Sequence, residues 1–167
     1  MRPCVASLVV LLVLVAGCNP FAPALDDGEV TTELGDPRTV EGFFTRFRAA
    51  YELRDAALYE PLLDSAFTFV YYDDRAQVER QWGYADDLQV TRRLFAGASD
   101  IQLRWRAVLT QQESATEARV VRGFDLTVTL AEDGSEVRTN GNVNFTLVRR
   151  DTSQTWRLLR WRDESEL

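Results

Sequence analysis

The sequence predicts an α+β domain, with helices first and an antiparallel sheet afterwards. Three observations predict it. Apolar residues recur at helical spacing from Val40 to Leu62, the period falls to two after Ile101, and the segments of period two are joined by short polar clusters that suit turns.

Asp36-Pro37 reads as a helix start, with Asp36 as N-cap and Pro37 at the first helical position. Val40, Phe43, Phe44, Phe47 and Tyr51 then form one apolar face. Arg54-Asp55 breaks that helix and caps a second, short one through Ala56, Leu58, Tyr59 and Leu62, which Pro61 kinks or ends. The aromatic and β-branched run Phe67–Tyr72 is a strand, and the polar stretch 73–81 is a loop. A third helix covers Ala85 to Ala96, with Asp86 and Asp87 favoured by its N-terminal dipole and Gly97 ending it.

From there the chain alternates. Ile101, Leu103, Trp105, Ala107 and Leu109 share one face of a strand. Ala118, Val120, Phe124, Leu126, Val128 and Leu130 share a face of the next, interrupted by Arg122. Ala131-Glu132-Asp133-Gly134 is a hairpin turn. Val137, Val143, Phe145 and Leu147 line one side of a third strand, and Asn140, Asn142 and Asn144 make a polar stripe that suits a hydrated edge or a partner-contacting face. The last strand, Thr155 to Arg162, places Trp156 and Leu158 on one face and Leu159 and Trp161 on the other.

Phe43-Phe44 of the first helix, the Asp55-Ala-Ala-Leu link into Phe67–Tyr72, and Trp156-Arg-Leu-Leu-Arg-Trp161 carry a resemblance in this order of elements. Over about residues 37–163 the chain resembles the nuclear transport factor 2-like superfamily, also called cystatin-like, which includes SnoaL and the ketosteroid isomerases. The resemblance implies helices packed on a strongly curved, mainly antiparallel sheet, a cone that often holds an apolar pocket. Tyr51, Phe69, Tyr71, Trp82, Tyr84, Trp105, Phe124 and Trp161 are the candidate lining residues, with plain core packing as the alternative use of each. That fold hosts isomerases, dehydratases, cyclases, transport adaptors and assembly modules, so it names no activity.

An enzyme of the isomerase branch would combine a carboxylate base with a Tyr and a protonated acid as oxyanion donors. Here Phe67–Tyr72 offers no carboxylate, Asp73 and Asp74 come where that strand ends, and Asp125 falls in the outward phase of its strand. Histidine, on which the dehydratase-like branches lean, is absent, which excludes Ser-His and Cys-His nucleophiles. Asp73-Asp74 and Asp86-Asp87 lack the spacing of a cation-binding loop and suit turns and helix ends better. The sequence therefore points to no cofactor and no metal. It favours a non-catalytic binding module for a small apolar ligand or a protein partner. The alternative is a His-independent isomerase or dehydratase using a pocket Asp and Tyr.

The N-terminus sets the expected location. Arg2 precedes an apolar run, Val5 to Ala16, too short to span a bilayer at ~20 residues. Leu14-Val15-Ala16-Gly17-Cys18 resembles a bacterial lipobox, which implies a signal peptide over residues 1–17, diacylglycerol and N-acyl groups such as palmitate on Cys18, and an extracytoplasmic protein anchored by lipid. Asn19 leans toward the outer membrane of a Gram-negative cell. Residues 18–35 form the lipidated Cys and an acidic tether rich in Pro and Gly, and residues 36–167 form one domain.

Charge narrows the partners. Without Arg2 there are 18 Arg against 26 Asp and Glu, and no Lys, for a side-chain charge of −8. An acidic chain is a poor ligand for nucleic acid. The Arg residues after position 91 alternate with apolar ones and suit the solvated face of strands, so a monomer or a weak homodimer is expected.

Overall fold

The computed structural model describes residues 34–73 and 75–166; the expected signal segment, Cys18, Asn19, most of the expected tether and Asp74 lie outside the described residues. Helix α1 spans Val40–Glu52, α2 Ala56–Tyr59 with a 3₁₀ turn at Glu60–Leu62, and α3 Tyr84–Gly97. The strands are β1 Leu63–Asp73, β2 Val78–Gly83, β3 Ala98–Glu113, β4 Glu117–Leu130, β5 Glu136–Val148 and β6 Arg157–Glu166. They form one curved sheet in the order β2-β1-β6-β5-β4-β3, antiparallel throughout except for the central β1–β6 pair. The fold is the α+β cone of the nuclear transport factor 2-like type, with the helices on the concave face.

The first helix starts three residues later than its acidic cap predicts. Thr39 is the N-cap, its hydroxyl accepting from the Gly42 amide at 3.0 Å. Asp36 instead closes the turn before it: its carboxylate accepts from the Arg38 amide, and its carbonyl accepts from the Thr39 amide. Asp55 caps α2 as expected, accepting from the amides of Ala57 and Leu58. The break before it is Arg54, which takes a positive φ of 53°.

Residues 73–81 are not a loop throughout. Val78–Gly83 is strand β2, paired with β1 from Thr68↔Gly83 to Asp73↔Val78. It is an edge strand with both faces largely exposed, so no burial alternation marks it. Asp73 anchors the hairpin by accepting from the amides of Arg75 and Ala76 and from Arg80 Nε at 2.7 Å.

Two irregularities shift the phases that strict alternation predicts. A register break between Trp105 and Val108 takes Ala107 and Leu109 off the buried face, and Leu109 is 60% exposed. In β6, Thr146 opposes Arg160 but Leu147 opposes Leu158, so Leu159 is an extra residue. This bulge brings Leu158 and Trp161 to the same concave side, where alternation placed them on opposite faces. Val137 is exposed, beyond the cover of the helices. β5 is paired on both sides, so its Asn stripe is not at an edge; it lies on the convex face, away from buried Gly141, Val143 and Phe145.

Phe43, Phe44 and Phe47 of α1 press into the sheet, each at most 1% exposed. Phe44 stacks on Phe145 at 5.5 Å, and Phe43 meets the same ring edge-on at 6.2 Å. Burying each such ring stabilises the fold by about 1.5–3 kcal/mol. Arg122 interrupts the apolar stripe of β4 without breaking it. Its guanidinium lies 4.9 Å from the Phe44 ring centroid and reaches Glu41 at 2.7 Å, so its stem fills the core while its charge is paired at the margin.

Candidate functional site

The strand registers, two antiparallel and one parallel, align four rings across the concave face. Trp82 opposes Phe69, Phe69 lies beside Trp161, and Trp161 opposes Phe145. Trp82 stacks on Phe69 at 4.3 Å, Phe69 meets Trp161 edge-on at 4.9 Å, and Trp161 meets Phe145 edge-on at 5.3 Å. Tyr71, two residues along β1, tilts against both Phe69 and Trp82. Phe69 is buried, whereas Tyr71, Trp82 and Trp161 are half-buried. The Trp161 indole nitrogen is itself buried and meets no acceptor.

Beside this patch lies a buried polar cluster. Asp87, in the first turn of α3, is 3% exposed. Tyr59 Oη donates to its Oδ2 at 2.8 Å, and Trp82 Nε1 donates to its Oδ1 at 3.0 Å. Burial pushes the Asp87 carboxyl above the usual carboxylate range, with the two donors pulling the other way. Tyr51 and Thr91 complete the cluster; Tyr51 stacks on Phe47 at 4.9 Å and meets Tyr59 edge-on. Burial raises the pKa of both tyrosine hydroxyls, and the Asp87 charge adds to it. Asp163, on β6, adds to the negative field felt by Tyr51.

Of the eight predicted lining residues, the structure gathers Phe69, Tyr71, Trp82 and Trp161 into one patch, with Tyr51 joined to it through the Asp87 cluster. The other three have their main contacts elsewhere, although Trp105 also meets Phe145 edge-on at 6.3 Å. Tyr84 donates to Glu60 Oε1 and ties α3 to the 3₁₀ turn, together with the Arg92–Glu60 ion pair. Trp105 packs edge-on to Phe44 at 4.9 Å and donates to its carbonyl, and Phe124 is its buried cross-strand partner.

The sequence reading places Asp87 at a helix end, whereas the structure makes it part of the site. The spacing of Asp87, Leu88, Thr91 and Phe95 carries the signal, since they recur at helical intervals and all four are buried. Asp125 is on the convex face, 3.4 Å from Arg104 and 3.7 Å from Arg106. Asp73 serves the hairpin, and Asp74 lies outside the described residues. Among the described residues no three metal-ligating side chains gather, and no helix is long and apolar enough to cross a membrane.

The chain matches no family model and no curated protein. Solved structures match it over most of their length. A conserved protein from Planctomyces limnophilus shares 13% identity at a TM-score of 0.65, over 76% of this chain and 93% of its own. A protein from Novosphingobium aromaticivorans, provisionally assigned as a scytalone dehydratase, shares 12% identity at 0.66, over 86% and 89%. A nuclear transport factor 2-like superfamily protein from Salmonella enterica serovar Typhimurium shares 13% at 0.58, over 81% and 92%. At these identities the likeness is one of fold, a fold shared by proteins described as enzymes and by others of unknown function.

Proposed function

We propose that the chain is a lipid-anchored, extracytoplasmic binding module whose concave aromatic patch takes a small, flat, apolar ligand bearing a hydrogen-bond acceptor. The observation that carries this reading is the Trp161 indole nitrogen, a buried donor without an acceptor, whose ring meets Phe69, the ring on which half-buried Tyr71 and Trp82 pack. A buried donor left unpaired costs about 1–3 kcal/mol, which an acceptor on the ligand recovers. The rings supply the flat apolar wall. The anchor rests on Leu14–Cys18, and the partner could equally present the same chemistry as an aromatic side chain of a protein.

Two experiments test it. Native mass spectrometry of the protein purified from its own host should find a co-purifying aromatic or acyl compound, lost in Trp161→Phe; an empty wild type would count against the binding role. Globomycin treatment, or Cys18→Ala, should release the protein from membranes, and unchanged membrane partition would end the anchoring claim.

One observation favours a second reading, a His-independent isomerase or dehydratase. Asp87 is a buried carboxyl with a raised pKa beside Tyr59 Oη, the pairing such chemistry uses. Against it, both Asp87 oxygens already accept from Tyr59 and Trp82. Deuterium uptake by small enolisable ketones, present in wild type and lost in Asp87→Asn, would decide for the enzyme.

A further inference from the structure

A second cavity lies at the other end of β6 from the Asp87 cluster. The start of α1, the α2–3₁₀ segment and the chain leading into β6 enclose about 160 Å³ between Pro37, Phe43, Leu58, Leu62 and Trp156. Its position follows from the backbone: the Trp156 amide donates to Pro37 carbonyl oxygen at 3.1 Å, pinning the β5–β6 turn against the approach to α1. The volume matches a single six-membered ring, since a cavity of about 150 Å³ lined by apolar side chains holds benzene.

The walls carry two further signals. Trp156 is 1% exposed, yet its Nε1 meets no acceptor. The indole face is already taken, with the Arg149 guanidinium 3.9 Å from its ring centroid, so the unsatisfied part of this side chain is the N–H. Arg46 also lines the cavity. It is half-buried and its Nε donates to Gly35 carbonyl oxygen at 3.2 Å. It forms no ion pair among the described residues, and the Asp36 carboxylate feels its charge only at longer range. A half-buried guanidinium whose terminal nitrogens meet no carboxylate among the described residues is a bidentate donor site for one. An apolar slot of one ring beside a guanidinium with no ion-pair partner among the described residues describes an acid with a short hydrocarbon body.

We infer that this cavity is a binding site for a small aromatic carboxylate, its ring between Phe43, Leu58 and Leu62 beside the Trp156 indole and its carboxylate taken by Arg46. The site shares no lining residue with the concave patch and does not depend on that patch binding anything.

The test is a titration of the purified full chain with phenylacetate, toluene and benzylamine, followed by ¹⁵N NMR of the indole N–H signals. The Trp156 signal is assigned by its loss in Trp156→Phe. Phenylacetate should shift it saturably, benzylamine should not, and Arg46→Gln should weaken phenylacetate by about tenfold while leaving toluene unchanged. Arg46→Gln keeps much of the half-buried stem, and circular dichroism of the variant checks that the fold survives, so the affinity comparison stands even if Trp156→Phe is unstable. The inference fails if phenylacetate gives no saturable shift at Trp156, if Arg46→Gln binds it as well as wild type, or if the shift appears at Trp161 instead.

Discussion

Tyr59→Phe isolates what the buried cluster contributes. The substitution keeps a ring that is fully buried and packed edge-on to Phe47 and Tyr51, so it opens no cavity. It deletes the hydroxyl that donates to Asp87 Oδ2 at 2.8 Å, leaving Trp82 as the carboxylate's other donor among the bonds described above. A hydrogen bond to a charged group contributes about 1.5–3 kcal/mol, and a buried carboxylate cannot replace it with water without opening the core. The expected loss at pH 7.5 is therefore about 2–3 kcal/mol, or a fall in Tm of roughly 6–15 °C for a domain of this size.

The loss should also depend on pH. Burial holds the Asp87 pKa above its ordinary value of 3.8, and the Tyr59 hydrogen bond lowers it. Removing that bond raises the folded-state pKa further, so the folded variant holds its proton to higher pH than the folded wild type. Its stability then falls faster as pH rises through the interval between those two folded pKa values. Below that interval the carboxyl is protonated in both proteins, and the difference shrinks to that of a neutral hydrogen bond, about 1 kcal/mol. Urea unfolding followed by tryptophan fluorescence at pH 7.5 and at pH 4 measures both numbers. Equal stability at pH 7.5, or a loss that does not shrink on acidification, would refute the assignment of a charged, donor-dependent Asp87.

Gly42→Ala and Gly97→Ala should behave oppositely although both glycines are helical. A Cβ on Gly42 would lie 1.8 Å from the Asp36 carbonyl oxygen, so Ala there should cost at least about 2–3 kcal/mol, whereas a Cβ on Gly97 meets nothing within 4 Å and should be neutral or stabilising by up to about 1 kcal/mol in thermal melts. Arg122→Met should destabilise by about 0.5–2 kcal/mol through loss of the guanidinium over Phe44, and more than Glu41→Gln, because Glu41 is 69% exposed; a double-mutant cycle that put most of the loss on the ion pair would reverse that ranking.

Much of the fold was legible because burial on one side leaves a period. The Phe43, Phe44, Phe47 stripe marked α1, and alternation around Val120 and Phe145 marked the sheet. What alternation cannot show is where it slips. The extra residue at Leu159 and the break after Trp105 each reverse a phase, and neither carries a glycine or proline to announce it. β2 escaped for a related reason, since an edge strand exposed on both faces has no period to read. The candidate site was half legible. Aromatic positions could be named, but three of eight joined other contacts, because one-dimensional spacing does not say which strands become neighbours. Asp87 shows the same limit in part. Its spacing with Leu88, Thr91 and Phe95 marks a buried face, but beside Asp86 it looks like a helix-dipole residue, and only the packing of Tyr59 and Trp82 against α3 gives its buried carboxyl two donors.

The place of β6 in the sheet has a consequence for how the chain acquires its fold. It is the last strand in sequence and the third in space, flanked by β1 in parallel and β5 in antiparallel register. Until it arrives, the β1–β2 hairpin and the β3–β4–β5 meander are separate pieces, each with an open edge. The two halves are joined by contacts spanning nearly a hundred residues, as between Phe69 and Trp161. Closing so long a loop is entropically slow, so the core forms late and all at once. A chain that stops short of Trp156 lacks the strand that joins the two halves of the sheet, and only the helices packed across them hold those halves together.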